Sequence, residues 1–294
     1  MSEAEQPIPK SDLPTRFAMG VAMIAVASAA IYAPAIWSDG VLGVWPFRLL
    51  VFLAAAVMLV EWADMHRVAR SWAYGGCTLL FVLLLGITEL FYPGAQMDVG
   101  NVGGTWVPVV DVAAFGAAWI GAAIIVGAAL ILGLAARRTT MAGGFLYVAL
   151  PSFALLVLHW TWFGIVFWVM IVTWATDICA YFAGRSIGGP KLAPRLSPNK
   201  TWAGLAGGML GAGLCGYAAS SFLQLGAPFS YLGAAMGAAA QGGDLYESWL
   251  KRRAGVKDSG TILPGHGGAL DRLDGLLPVI LLTFLLLAAG LWTG

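Results

Sequence analysis

Apolar runs of about 20 residues recur along the whole chain, and they constrain the fold more than any other feature of the sequence. Each is long enough to cross a hydrocarbon core of about 30 Å as a helix. Backbone that faces lipid must satisfy its own hydrogen bonds, which favours helices. We therefore predict an all-α, polytopic integral membrane protein with about nine transmembrane helices, at residues 17–37, 44–61, 72–92, 112–135, 142–158, 162–184, 202–224, 229–250 and 275–293.

The composition and the first apolar run agree with this prediction. Only 11 % of the residues are charged, against about 25 % in a soluble domain. Lys10 and Arg16 precede the first run, and Ala27-Ser28-Ala29 resembles a signal-peptidase site. The run continues to about Trp37, however, which is longer than the apolar region of a signal peptide. We expect a retained helix, with the lipid bilayer as a partner and no nucleic acid.

Lysine and arginine residues predict the orientation, because cytosolic loops are enriched in them. If the N-terminus is cytosolic, all sixteen except Arg48 fall on the inner side. The C-terminus is then outside, and we expect the active site to face the cytoplasm from the cell inner (plasma) membrane. We divide the chain into a cytosolic tail, about five N-terminal transmembrane helices and a C-terminal catalytic region, at 1–16, 17–160 and 161–294. Its cytosolic loops are 185–201 and 251–274.

Two carboxylates stand inside apolar runs near the cytosolic edge. Asp177 and Asp244 each lie on the order of 10 Å inside that edge, at 1.5 Å per residue. A carboxylate at such a depth is costly and suggests a function. The pair indicates either a shared polar cavity or hydrogen-bonding groups between packed helices. By contrast, Glu61 and Glu89, near the ends of the second and third runs, are interpreted as interfacial polar groups.

The loop from Arg185 to Gly204 combines glycines, cations and a helix start. Its sequence is RSIGGPKLAPRLSPNKTWAG, in which Ser197, Asn199 and Lys200 directly precede the seventh apolar run. Free backbone amides at a helix N-terminus bind anions readily. The loop is either such an anion site or a basic surface loop that obeys the positive-inside rule.

The segment from Gln241 to Asp274 carries more of the chemistry. It contains Ser248, the basic cluster 251–253, the pair Lys257-Asp258 and a glycine-rich turn around His266. Mg²⁺ takes oxygen ligands, commonly one or two carboxylates together with substrate phosphates, while lysine and arginine neutralise charge on a leaving pyrophosphate. The carboxylates available for the metal are Asp244, Asp271 and Asp274.

These residues resemble the signature of the phosphatidate cytidylyltransferase (CDP-diacylglycerol synthase) family. That signature reads S-x-x-K-R, four residues, K-D, then H-G-G, two residues and D-R-x-D. The chain matches it with Ser248, Lys251-Arg252, Lys257-Asp258, His266-Gly267-Gly268, Asp271-Arg272 and Asp274. Upstream, Asp177 and the run Ser197 to Trp202 are similar to a second block of the family. Ala203 and Ala269 depart from the pattern without removing a charge or a metal ligand.

The resemblance implies the reaction CTP + phosphatidic acid → CDP-diacylglycerol + pyrophosphate, with Mg²⁺ and a possible second cation. It implies Asp244 and Asp271 as the best metal ligands, with Asp274 beside them. Roles in catalysis or substrate binding are expected for Asp177, Ser197, Asn199, Lys200, Ser248, Lys251, Arg252, Lys257 and Arg272. His266 either donates a hydrogen bond to phosphate or braces the glycine turn. The small-residue helix faces are compatible with a homodimer.

Two other functions fit parts of the pattern. A CTP-dependent polyprenol or phytol kinase would also use a cytosolic loop rich in aspartate and lysine, but it would transfer the γ-phosphoryl group. A transporter also places carboxylates inside the membrane. Transporter sites usually lie near the bilayer midplane between structural repeats, whereas the polar residues here crowd the cytosolic edge.

Overall fold

The computed structural model describes residues 13–36, 40–91, 99–102, 105–108, 112–260 and 267–290. Within these ranges every predicted apolar run lies in a helix, and one short additional helix precedes the last run. The helices are α1 Leu13–Ile36, α2 Gly40–Met65, α3 Arg70–Phe91, α4 Val112–Ala135, α5 Thr139–Thr161, α6 Phe163–Ser186, α7 Trp202–Phe222, α8 Ala227–Ala254, α9 Leu270–Leu273 and α10 Leu276–Ala288.

Among the described residues, five helices are long and apolar enough to cross a membrane, so the chain is a helical multi-pass membrane protein. These segments are Gly43–Met65, Arg70–Leu90, Ala117–Ala135, Thr139–Thr161 and Phe163–Ser186. Helices α1 and α10 contain shorter apolar stretches, Gly20–Ala33 and Leu276–Ala288. Helices α7 and α8 are rich in glycine and alanine, and α8 ends in Lys251, Arg252 and Arg253, which lowers their hydropathy.

Two antiparallel hairpins interrupt the helical fold in segments that the sequence indicated only as loops. Strand β1 Val99–Val102 pairs with β2 Thr105–Pro108, and β3 Lys191–Ala193 pairs with β4 Ser197–Thr201. Strand β4 leads directly into α7. Thr201 at this junction accepts a hydrogen bond on Oγ1 from the Gly204 N–H at 3.0 Å, a standard N-cap. The second hairpin therefore has a fixed position against the start of α7.

Helices α6, α7 and α8 pack closely through small residues. A Cβ at Gly207 would overlap the side chain of Ala183, and one at Gly211 would overlap the side chain of Cys179. Small residues allow such close helix contact in membranes. This packing holds α6, which carries Asp177, against the helices that follow the loop 185–201.

Helix α10 lies inside the bundle, where it packs against α4, α5, α6 and α8. Gly243 of α8 allows the start of α10 to approach, because a Cβ there would overlap the backbone oxygen of Asp274 and the ring of Pro278. On the other side of the bundle, Trp62 of α2 donates a hydrogen bond from Nε1 to the Thr140 carbonyl at 2.8 Å. The end of α2 and the starts of α5 and α10 thus share one end of the bundle with the basic end of α8.

Candidate active site

The first predicted loop contacts α8 in the structure. Lys200, on β4 of that loop, forms an ion pair with Asp244 on α8. Both side chains are partly buried, so the pair is less exposed to solvent screening than one at the surface. The pair places a cation of the loop beside a carboxylate of the helix.

Asp244 belongs to a cluster of three carboxylates, with Glu247 and Asp274. Burial first, and then the neighbouring carboxylates of Asp244 and Glu247, raise the pKa of Asp274 well above its usual range. Glu247 is only 1 % exposed and stands one helical turn after Asp244 on α8. Crowded carboxylates in a partly dry site repel one another, so the cluster favours a bound cation or proton.

Asp271 makes a different set of contacts. Its Oδ2 accepts hydrogen bonds from the backbone N–H of Ser259 and Gly268, both at 2.9 Å, and from Ser259 Oγ at 3.0 Å. Lys251 Nζ donates to Oδ1 at 2.5 Å. Burial opposes ionisation, but the donors from Lys251, Gly268 and Ser259 outweigh it and hold the pKa of the Asp271 carboxyl below its ordinary value. Both oxygens of Asp271 are therefore bound by donors of the chain.

Lys251 connects Asp271 to the carboxylate cluster. Its Nζ also lies 3.3 Å from Glu247 Oε1 and forms an ion pair with it. The geometry is not that of a hydrogen bond, and no described group donates a hydrogen bond to either oxygen of Glu247. The Lys251 side chain is 14 % exposed. A single lysine between two carboxylates can turn towards a bound phosphate while a partner remains beside it.

The glycine pair of the signature closes the turn against Asp271. Gly267 has a φ of 81°, a left-handed conformation that glycine adopts without strain. At Gly268, a Cβ would overlap Ser259 Oγ. These two requirements explain the Gly-Gly part of the motif as a matter of backbone geometry. The preceding His266 lies outside the residues that the structure describes, so its predicted role stays a prediction.

The remaining predicted residues differ in exposure. Asp177 has an accessible side chain on α6, and the charges of Asp244, Lys200 and Arg272 act on it, which places it at the same site. Arg272 has an exposed side chain on α9. Arg252 is exposed, with Nη1 3.4 Å from the Val256 carbonyl. Of the others, Asn199 and Lys257 are exposed, while Ser197 and Ser248 are partly buried.

The hard oxygen ligands that Mg²⁺ prefers are present, but the side chains are bound to one another. Among the described residues, no three His, Cys, Asp or Glu side chains are arranged to hold a metal ion as they stand. Lys200 is bound to Asp244, and Lys251 is bound to Asp271. The crowding of Asp244, Glu247 and Asp274 nevertheless fits a cation, which would relieve their mutual repulsion.

Comparison with known proteins gives a family. The model of the cytidylyltransferase family matches residues 14–289. The chain belongs to the cytidylyltransferase family. A phosphatidate cytidylyltransferase of Brucella suis is 35 % identical over 257 residues, which cover 85 % of each chain. Enzymes of the same name from Bacillus subtilis and Pseudomonas aeruginosa are 47 % identical over 126 residues and 41 % identical over 155 residues. They cover 42 % and 50 % of this chain, and 47 % and 57 % of their own lengths.

Membership of the cytidylyltransferase family confirms the resemblance stated from the signature, and it makes the chain a nucleotidyltransferase.

Three residues near the site were not predicted from sequence. Glu247 had a usable signal, because it follows Asp244 by three residues and so lies on the same helix face. The hydroxyl of Tyr147 on α5 is buried without a hydrogen-bond partner among the described residues, and the charges of Glu247 and Asp274 act on it.

Glu61 is the third such residue, and the interpretation of its side chain as an interfacial group is wrong. It is 2 % exposed and accepts hydrogen bonds from the backbone N–H of Ala269 and Leu270. No local pattern could have revealed this, since its partners lie about 200 residues further along the chain. Glu89, by contrast, pairs with Arg48 and remains half exposed, as an interfacial residue should.

Proposed function

We propose that the chain is a phosphatidate cytidylyltransferase, which converts CTP and phosphatidic acid into CDP-diacylglycerol and pyrophosphate. The names of its relatives support this activity. The observation that carries it is the ion pair between Lys200 of the first loop and Asp244 of α8, beside Lys251, Asp271 and Asp274 of the signature. Alternating cations and carboxylates suit a polyphosphate that arrives with a divalent metal.

The proposed reaction is a direct displacement at phosphorus. An oxygen of the lipid phosphate attacks the α-phosphorus of CTP, the bond from that phosphorus to the bridging oxygen breaks, and pyrophosphate leaves with the electron pair. The lipid phosphate is already anionic at neutral pH, so no strong general base is needed. Catalysis would consist of alignment and charge neutralisation.

Asp244 and Asp274 are the residues we propose first as ligands of Mg²⁺, because their carboxylates are crowded together. Asp271 remains a third candidate ligand, and its bond to Lys251 would have to open for that role. When bound, Mg²⁺ would neutralise phosphate oxygens, and a second cation would have the crowded oxygens of Glu247 available. If Asp271 were also a ligand, the metal would free the Lys251 ammonium to contact phosphate.

The cations would bind the phosphates. We assign this role to Lys200 and Lys251 from their central positions and to Arg252, Lys257 and Arg272 from the signature. Ser197, Asn199 and Ser248 would orient the nucleotide or the lipid phosphate through their polar side chains, and Asp177 would face the substrate cavity. His266 would either donate a hydrogen bond to phosphate or brace the glycine turn.

The orientation in the membrane is part of the proposal. The basic end of α8, the second hairpin and the end of α2 lie at one end of the bundle, which supports a single cytosolic face for the site. We propose nine transmembrane helices in the cell inner membrane, with the N-terminus cytosolic and the C-terminus outside. Association into a homodimer can be tested by light scattering of the protein in detergent.

The decisive experiment follows the label of α-³²P-CTP. Purified protein in detergent is incubated with labelled CTP, phosphatidic acid and Mg²⁺, with an EDTA control. Label in a chloroform-soluble CDP-lipid, lost with EDTA, is the expected result. Label that stays in aqueous CTP, with folded protein, would contradict the proposal. The kinase alternative would then be tested with γ-labelled CTP and prenyl alcohols, where a phosphorylated alcohol and CDP are the products.

A further inference from the structure

The buried carboxylate of Glu61 binds the last part of the signature. Oε1 accepts the Ala269 N–H at 2.9 Å, Oε2 accepts the Leu270 N–H at 3.0 Å, and Ser259 Oγ lies 3.3 Å from Oε2. Glu61 stands near the end of α2, in the part of the chain for which the sequence predicted no chemistry. Two backbone donors and a serine hydroxyl of the signature segment thus meet a residue outside the signature.

Ser259 connects Glu61 to Asp271. Its hydroxyl lies 3.0 Å from Asp271 Oδ2 as well as 3.3 Å from Glu61 Oε2. Asp271 in turn binds Lys251 through Oδ1 at 2.5 Å. Four side chains from α2, the loop, α9 and α8 therefore form one continuous series of polar contacts. Movement of Glu61 would shift Ser259 and Gly268, which together supply the three donors to Asp271 Oδ2.

Two glycines of the signature segment pack directly against the Glu61 carboxylate. A Cβ at Gly260 would lie 2.7 Å from Glu61 Oε1, and one at Gly268 would lie 2.8 Å from Oε2. The two glycines allow the backbone to enclose the carboxylate on both sides. A carboxylate that accepts several N–H bonds makes strong, directional contacts.

We propose that Glu61 is a positioning residue for the cytidylyl transfer. It fixes the start of α9 and Ser259, and through them it sets the position of Asp271 and of the Lys251 ammonium. This inference rests on the proposed function. Glu61 of α2 would then affect the reaction by positioning residues of the signature, without touching CTP or lipid itself.

The test is a double-mutant cycle on the full-length protein in detergent, with Glu61→Gln in the wild-type and the Lys251→Ala backgrounds. The amide of glutamine places an N–H donor against the N–H groups of the turn, so kcat should fall about 10- to 100-fold in the wild-type background, as for misplacement of a reacting group. If Glu61 acts through Lys251, the same substitution should change kcat less than about 3-fold in the Lys251→Ala background.

Asp64→Asn is the matched control. Asp64 lies on the same helix, is exposed and pairs with Arg70, so its kcat should equal that of the wild type in both backgrounds. If Glu61→Gln does not fold, Ser259→Ala removes the connecting hydroxyl and is expected to show the same non-additivity with a smaller loss. An unchanged kcat, or an equal fold-loss in both backgrounds, would overturn the inference. A wild-type protein that forms no CDP-lipid would instead overturn the proposed function.

Discussion

Lys200 and Lys251 are both bound to carboxylates, and each is partly buried. A lysine that neutralises a phosphate at this site must exchange a carboxylate partner for the substrate. Under the proposed function, a bound metal would balance the carboxylate that the exchange leaves free. The two ion pairs thus hold the two cations at the site before substrate binds.

Replacement of Lys200 by alanine should lower kcat/KM for CTP by about 100-fold or more, because a charge that neutralises phosphate in a partly dry site is removed. Steady-state kinetics with varied CTP would measure this. Arg70→Gln is a suitable control, since Arg70 is an exposed cation paired only with Asp64 among the described residues. Equal kcat/KM in wild type and Lys200→Ala would remove Lys200 from the site.

Neutralising Asp274 by substitution should increase stability and decrease activity. Burial and the neighbouring carboxylates raise its pKa in the folded protein. In the unfolded chain the pKa has the ordinary aspartate value of about 3.9. Above that pH, Asp274 is therefore protonated in the folded protein and ionised in the unfolded chain. Unfolding then releases a proton, and this residue destabilises the fold increasingly as the pH rises above that value. Asp274→Asn should therefore raise the melting temperature at pH 8 in EDTA and abolish activity.

The check is the pH dependence of that difference. The melting temperatures of Asp274→Asn and wild type, measured by fluorescence in detergent with EDTA, should differ most at high pH and converge towards pH 4. A difference that stays constant with pH would show that Asp274 does not carry the proton. The activity is measured separately with saturating Mg²⁺.

At the scale of elements, the contact between α8 and the start of α10 brings Asp244 beside Asp274. Gly243→Ala should destabilise the protein by about 1–3 kcal/mol, as expected for overpacking, and should lower activity by separating the two carboxylates. Gly127→Ala on α4 is the matched control, because a Cβ there meets nothing within 4 Å. Since alanine favours a helix, that variant should be at least as stable as wild type. Thermal unfolding in detergent distinguishes them.

The helices could be predicted from the sequence more readily than the contacts between them. Apolar runs such as 112–135 match a helix closely, because length and hydropathy are local properties. The strand at Ser197–Thr201 could not be predicted from Ser-Pro-Asn-Lys-Thr alone, since its partner is set by the tertiary position of the loop. The contacts of Glu61 could not be predicted either, because its partners come from the other end of the chain.

The signature predicted which residues gather, but it did not predict which of them touch. The expectation that Asp244 and Asp271 act together on a metal stays a prediction; in the structure Asp244 lies beside Asp274, and Asp271 binds Lys251. Spacing along a motif gives no distance across a turn. The distance between motif residues depends on the backbone conformation at Gly267 and Gly268.

At the scale of the whole molecule, the proposed orientation can be tested by chemical labelling. After replacement of Cys77, Cys179 and Cys215, single cysteines are introduced at Arg138 and Gln224, both exposed residues in turns. A membrane-impermeant maleimide should label position 224 in intact cells, and position 138 only after the membrane is disrupted. The reverse pattern would place the carboxylate cluster on the outer side.

Glu61 also determines when the enzyme becomes complete during its synthesis. It enters the membrane early, with α2, but its donors emerge 198 to 209 residues later. Until then the Glu61 carboxylate stands at the end of an apolar helix without the groups that bind it in the folded protein. A nascent chain stopped before Ser259 therefore contains α2 to α8 but neither Asp271 nor the groups that bind Glu61.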